Sequence, residues 1–149
     1  MDAFIDGVKI AQTPTGTVPV VLVGVEGEPD LLPIFVGFDE AMAIRRGLDA
    51  ADIGRPLTHD LLLDVTEELG GRVERVEITE LRDGTYIADL HLATPREDTV
   101  VDARPSDALA LAARTNAPIG VAADVFEAGK QLPEEFDELH DIREVVEDA

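Results

Sequence analysis

The sequence predicts an α+β fold, a single compact domain in which a mixed, largely antiparallel sheet is flanked by three to four helices. Three observations carry that prediction. Apolar and polar residues alternate through several short runs bounded by turn residues, the period of a half-buried strand. Between those runs the apolar spacing changes to that of a helix. The 149 residues are enough for one hydrophobic core, and no cysteine is present to staple a smaller one.

The first third reads as an antiparallel meander of strands over Ala3 to Ala11, Val18 to Val25 and Leu31 to Val36. Thr13-Pro14-Thr15-Gly16 and Glu26-Gly27-Glu28-Pro29 supply the turns. After Gly37 a helix runs from Asp39 to about Ala50, with Ala41, Ile44 and Leu48 on one face and Arg45, Arg46 and Asp49 opposite. A second helix follows Arg55-Pro56-Leu57, with Thr58 as N-cap and Leu61, Leu62, Val65 and Leu69 facing inward until Gly70-Gly71. Val73 to Leu81 and Thr85 to Leu92 form a hairpin through Asp83-Gly84, a pair that tolerates positive φ. A strand over Thr99 to Ala103 comes next, and Pro105 or Ser106 then opens a helix to Thr115 whose Leu109, Ala112 and Ala113 predict close packing. Pro118 to Val121 is a short strand and Asp124 to Ala128 a short helix. Residues 1–130 are read as the domain and 131–149 as an acidic tail. Its sparse Leu132, Phe136, Leu139, Ile142, Val145 and Val146 fit a docked amphipathic helix and a disordered tail equally.

Charge is the unusual feature of the composition. Asp and Glu number 32 against 12 Lys and Arg, a formal net charge of -20, and Lys9 and Lys130 are the only lysines. In dilute buffer such like charge repels itself; at molar salt the Debye length falls to about 3 Å and the repulsion is screened. The composition therefore predicts adaptation to concentrated salt, with an aliphatic core, since aromatics are 4% of the chain and Trp is absent. Without cysteine there is neither a disulfide framework nor a thiolate zinc site. Neither a signal peptide nor a membrane span is read at Met1 or beyond, so the expected location is cytoplasmic.

Two polar clusters stand at helix starts. In Thr58-His59-Asp60 the helix amides attract anions, His59 transfers protons near neutrality, and Asp60 can ligate a divalent ion. The competing reading is structural: Thr58 caps and Asp60 complements the helix dipole. In Asp102-Ala103-Arg104-Pro105-Ser106-Asp107, two carboxylates, an arginine and a serine leave a strand and enter a helix, enough to hold a metal and a phosphate together. Capping by Ser106 and an Arg104 to Asp102 ion pair are the alternative. His91 shares the polar face of its strand with Asp89 and reads as structural. Asp39-Glu40 read as dipole-complementing residues. No G-x-S-x-G elbow, Walker loop or G-x-G-x-x-G fingerprint is present, which argues against serine-hydrolase, nucleotide-triphosphatase and dinucleotide chemistry. Neither a basic stripe nor an aromatic stacking platform of the sort that single-strand binders use is read in the sequence.

Leu32-Pro33-Ile34-Phe35-Val36-Gly37 followed by Glu40-Ala41, Arg55-Pro56-Leu57-Thr58-His59-Asp60-Leu61, Asp102 through Leu111, and Ala117-Pro118-Ile119 occur in one order that closely resembles the bifunctional nuclease domain. With the acidic composition, the resemblance reads as a haloarchaeal member. It implies a compact α+β domain and cleavage of RNA and DNA, the activity credited to plant members. The reading taken forward is a phosphodiesterase assisted by Mg²⁺ or Mn²⁺. Asp60, Asp102 and Asp107 are the metal-ligand candidates, His59 the general acid or base, Ser106 a further catalytic candidate, and Arg55, Arg104 and Thr58 the phosphate contacts. This reading needs the two Arg-Pro turns to converge. The alternative is a non-catalytic module that binds an anion or a protein partner and forms a homodimer.

Overall fold

The alternating runs build one eight-stranded sheet in the computed structural model, which describes residues 1–52 and 54–146. Ile53 and the last three positions of the predicted tail, 147–149, lie outside the described residues. Strand β1 (Asp2–Thr13) turns at Pro14-Thr15 into β2 (Gly16–Val25), and β2 pairs with β3 (Leu31–Phe35), all antiparallel as the meander predicts. Strands β4 (Arg72–Arg82) and β5 (Thr85–Ala93) form the expected hairpin. At its turn Asp83 and Gly84 have φ of 53° and 80°, the paired positive values of a turn whose twist matches the strands. Strand β6 (Thr99–Ala103) extends this half on β5.

The two halves meet at β7 (Ile119–Val121), which is antiparallel to β1 and parallel to β4. The order is β3-β2-β1-β7-β4-β5-β6, with β8 (His140–Asp141) also on β1. The parallel pair makes the sheet mixed, as expected.

Helices α1 (Phe38–Leu48), α2 (Thr58–Glu68), α3 (Pro105–Thr115), α4 (Ala123–Gly129) and α5 (Ile142–Val146) flank it. The most enclosed is α3, where Ser106 and every residue from Ala108 to Ala113 are buried. Its small side chains let α1 come close: a Cβ on Gly47 would stand 2.8 Å from the Arg114 backbone nitrogen and 3.0 Å from Ala113 Cβ. The core is aliphatic. Val21, Val23, Ile44, Ile78 and Leu109 pack with Phe126, and a second cluster joins Val76, Ala88 and Leu90 to Ala108 and Leu111.

Several expectations are corrected. Leu48 is 40% exposed and Gly47 takes the inward place in α1. Leu61, Leu62, Val65 and Leu69 are all exposed, at 47–76%, and it is Leu63 that packs on the core. The period identifies a helix, but α2 has α3 and β4 as its main neighbours, too little surface to cover a full apolar face. Leu57 and Arg104, rather than Thr58 and Ser106, stand at the N-cap positions of α2 and α3, and neither N-cap side chain makes a cap bond. The tail through residue 146 is docked: β8 pairs with Lys9 and Ile10, and Ile142 is fully buried. Arg143 also pairs with Asp49 at the end of α1.

Candidate functional site

Both helix-start motifs meet at their first turns. His59, in the first turn of α2, lies with its Nε2 2.9 Å from Oδ1 of Asp107, in the first turn of α3. Pro105 at the first position of α3 sets the direction of that turn. Arg104 then reaches across it, with Nε 2.9 Å from Asp107 Oδ2 and Nη2 3.2 Å from Oδ1. Burial raises the Asp107 pKa, but the hydrogen bonds from Arg104 and then His59 outweigh it, so the carboxyl is held below its ordinary 3.8. An ionised Asp107 can only accept. Nε2 of His59 therefore donates, and in the neutral ring that tautomer places the lone pair on Nδ1.

The Nη2 of Arg104 also donates to Glu40 Oε1 at 3.3 Å. Glu40 folds back over the backbone of Gly37, where any Cβ would collide with its carboxylate. These bonds use the Nε–H and both Nη2–H groups of Arg104, so among the described residues its two Nη1–H groups have no partner. The side chain is 66% exposed, which leaves those donors open to a ligand.

This cluster stands on a cleft of about 870 Å³, within the size of small-ligand sites. His59, Thr58, Arg104, Asp107 and Asp102 line it, together with Asp39, Glu40 and Arg46 of α1 and an apolar wall that includes Phe38, Met42, Leu62 and Leu111. Arg46 has no ion-pair partner within 4.0 Å among the described residues.

Of the remaining sequence candidates, Asp60, Arg55 and Ser106 lie outside the cleft and Asp102 only borders it. Asp60 turns toward the body of α3, with Oδ1 2.9 Å from Arg114 Nε and Oδ2 accepting from the Leu57 N–H. Arg55 is exposed and does not line the cleft. Ser106 is 7% exposed and lines a separate cavity of about 400 Å³. Asp102 sits opposite Asp89 in the β5–β6 register, so strand alternation sends its side chain to the face opposite Leu90 and Val101. Arg104 pairs with Asp107 and Glu40 and not, as the capping alternative supposed, with Asp102. His91 does not line the cleft.

Asp60, Asp102 and Asp107 thus make no common ligand set, and among the described residues no group of three or more His, Asp or Glu side chains is arranged to hold a metal ion. These residues do not fit a preformed metal centre. Glu40 and Arg46 are the contributors that sequence reasoning missed. The available signal was the position of Glu40 beside the Pro33 to Gly37 motif. No helix among the described residues is long and apolar enough to cross a membrane.

Comparison with known proteins gives this cleft its context. An uncharacterised protein of Mycobacterium tuberculosis is 40% identical over 121 residues, covering 80% of this chain and 72% of its own length. The protein named bifunctional nuclease 1 of Oryza sativa subsp. japonica is 34% identical over 105 residues, 68% of this chain but 32% of its own length. Bifunctional nuclease 2 of Arabidopsis thaliana is 31% identical over the same length of alignment, 105 residues. The sequence profile of the bifunctional nuclease domain matches residues 20–133, which span β2 through the turn after α4 and so include every residue of the cleft. The chain belongs to the bifunctional nuclease domain family.

Proposed function

We propose that the cleft hydrolyses phosphodiester bonds in nucleic acid, with His59 as the proton-transferring group and Arg104 and Arg46 as the phosphate contacts. The observation that carries this reading is the His59–Asp107–Arg104 cluster, in which one carboxylate fixes the imidazole tautomer and orients an arginine that keeps two free N–H groups. Family membership and the names of the plant relatives point the same way. Nδ1 of His59 takes a proton from the attacking water as its oxygen bonds to phosphorus. The bond to the leaving oxygen then breaks, and the proton returns to that oxygen. Charge that builds on the phosphoryl oxygens falls on Arg104 and Arg46.

A requirement for Mg²⁺ or Mn²⁺ would enter with the substrate phosphates, which commonly complete the shell of such ions, and a chelator added to the same assay reads it. The net charge of -20 supports operation in concentrated salt.

The test is cleavage of short labelled RNA and DNA in molar KCl by wild type, Arg104→Ala and Arg46→Ala. Cleavage should co-elute with the protein and fall on the order of 10²-fold or more in Arg104→Ala. Equal rates in all three proteins would identify a contaminant and overturn the proposal.

One observation favours the second reading, a homodimeric anion-binding module. Leu61, Val65 and Leu69 of α2 are exposed, and β6 is an edge strand with Val100 exposed; an exposed apolar helix stripe and a free sheet edge are each features that pair with a second copy. Sedimentation of the chain across KCl concentrations decides between monomer and dimer.

A further inference from the structure

The chain has five phenylalanines and one tyrosine. Phe126 is fully buried, whereas Phe35 is 60% and Phe38 48% exposed. These two rings lie three positions apart, at the end of β3 and the start of α1, and Arg104 stands between the spaces they line. Phe35 and Tyr86 line the smaller cavity of about 400 Å³, Phe38 lines the main cleft, and Arg104 is the one residue common to both linings. Three residues span at most about 10 Å of backbone, which keeps both rings on the stretch of chain next to Arg104.

Electrostatics leaves a polyanion little to hold. Around Arg104 and Arg46 the cleft carries Asp39, Glu40 and Asp107, and the whole chain is at -20. Long-range attraction is absent in dilute buffer and is screened in molar salt, where affinity based on phosphate contacts collapses. Stacking of a base on an aromatic ring needs no net charge, tolerates any sequence, and is not weakened by screening. A duplex hides its base faces, so such platforms select unpaired strands.

We propose that Phe35 and Phe38 stack two bases of a single-stranded nucleic acid, one on either side of the phosphate held by Arg104. This rests on the reading of the cleft as a nucleic-acid site and assigns its substrate class and its two base subsites.

The test is fluorescence anisotropy in molar KCl with three labelled probes of equal length: a single-stranded oligodeoxynucleotide, an abasic oligomer with the same phosphates, and a duplex. Phe35→Ala and Phe38→Ala should each weaken binding of the single strand by about 5- to 150-fold, the equivalent of about 1–3 kcal/mol per stacked base. Phe35→Trp should retain it, and Phe4→Ala, at a phenylalanine lining neither cavity, should leave it unchanged. Wild type should bind the abasic oligomer and the duplex more weakly than the single strand. Equal binding of abasic and base-bearing strands, or Phe35→Ala and Phe38→Ala variants that bind as wild type does, overturns the proposal. Failure of the two readings is distinguishable: base-dependent binding without turnover defeats the hydrolytic reading alone, while turnover that ignores the bases defeats the stacking alone.

Discussion

A hydrogen bond, His59–Asp107, and an ion pair, Arg114–Asp60, tie α2 to α3, and replacing Asp107 or Asp60 by Asn removes the carboxylate from one of them at a time. The geometries are closely matched. His59–Asp107 and Arg114–Asp60 both have N···O of 2.9 Å, with side chains 22% and 33% exposed in the first pair and 22% and 20% in the second. At that exposure each lies between the surface regime of about 0.2–1 kcal/mol and the buried regime of about 3–5 kcal/mol, so about 1–2 kcal/mol is expected from either loss. For a chain of this size that lowers the melting temperature by about 2–8 °C. The bonds that Asp107 makes to Arg104 add little, because Arg104 is two-thirds exposed. Activity should separate what stability does not. Asn at position 107 can turn its amide N–H toward the imidazole and reverse the tautomer, so cleavage should fall about 10²- to 10⁴-fold. Asp60 faces away from the cleft, and Asp60→Asn should cleave at the wild-type rate once the folded fraction is matched. Calorimetry and oligonucleotide cleavage on the same preparations check both. Equal activity losses in the two variants would mean that the His59–Asp107 pair is only a clasp between helices.

Three further outcomes follow from packing and charge. Gly47→Ala should destabilise by about 1–3 kcal/mol despite the better helix propensity of Ala, because the new methyl meets the Arg114 backbone nitrogen, which cannot move aside; thermal melts measure it. Ile142→Ala should cost about 2–5 kcal/mol by the same measurement, since Ile142 is fully buried although it belongs to the tail. Asp49 is held below its ordinary 3.8, chiefly by its hydrogen bond to Arg143, against an opposing effect of burial. A depressed carboxyl contributes stability above its unfolded pKa and loses it as pH falls through the folded value. The difference in melting temperature between wild type and Asp49→Asn should therefore be full at pH 7 and shrink below about pH 4. Molar KCl keeps relief of carboxylate repulsion from masking the effect.

The meander, the β4–β5 hairpin and the limits of α3 are legible because each depends on local signals: period-two alternation, the Asp83-Gly84 pair and the Arg104-Pro105 turn. The central place of β7 is not, since three residues that join two half-sheets depend on partners far away in the chain. The orientation of α2 misleads for a related reason. Its leucines carry a helical period whichever way the helix lies, and the contacts that orient it are polar, from His59 and Asp60. At the site, looking for carboxylates that accompany Arg, His or Ser at a helix start picks out His59, Arg104 and Asp107 from a chain with 32 acidic residues. The same filter also admits Asp60, which alternation along α2 turns toward Arg114, and Arg55, which lies outside the cleft. It passes over Glu40, whose role appears only when a partner 64 residues away closes on it.

In the proposed mechanism His59, fixed by Asp107, transfers the proton in phosphodiester hydrolysis. The most direct measurement is single-turnover cleavage of a single-stranded oligonucleotide in molar KCl by wild type and His59→Gln at matched folded fractions. The variant should lose about 10²-fold or more; an unchanged rate would remove His59 from the proposed proton transfer.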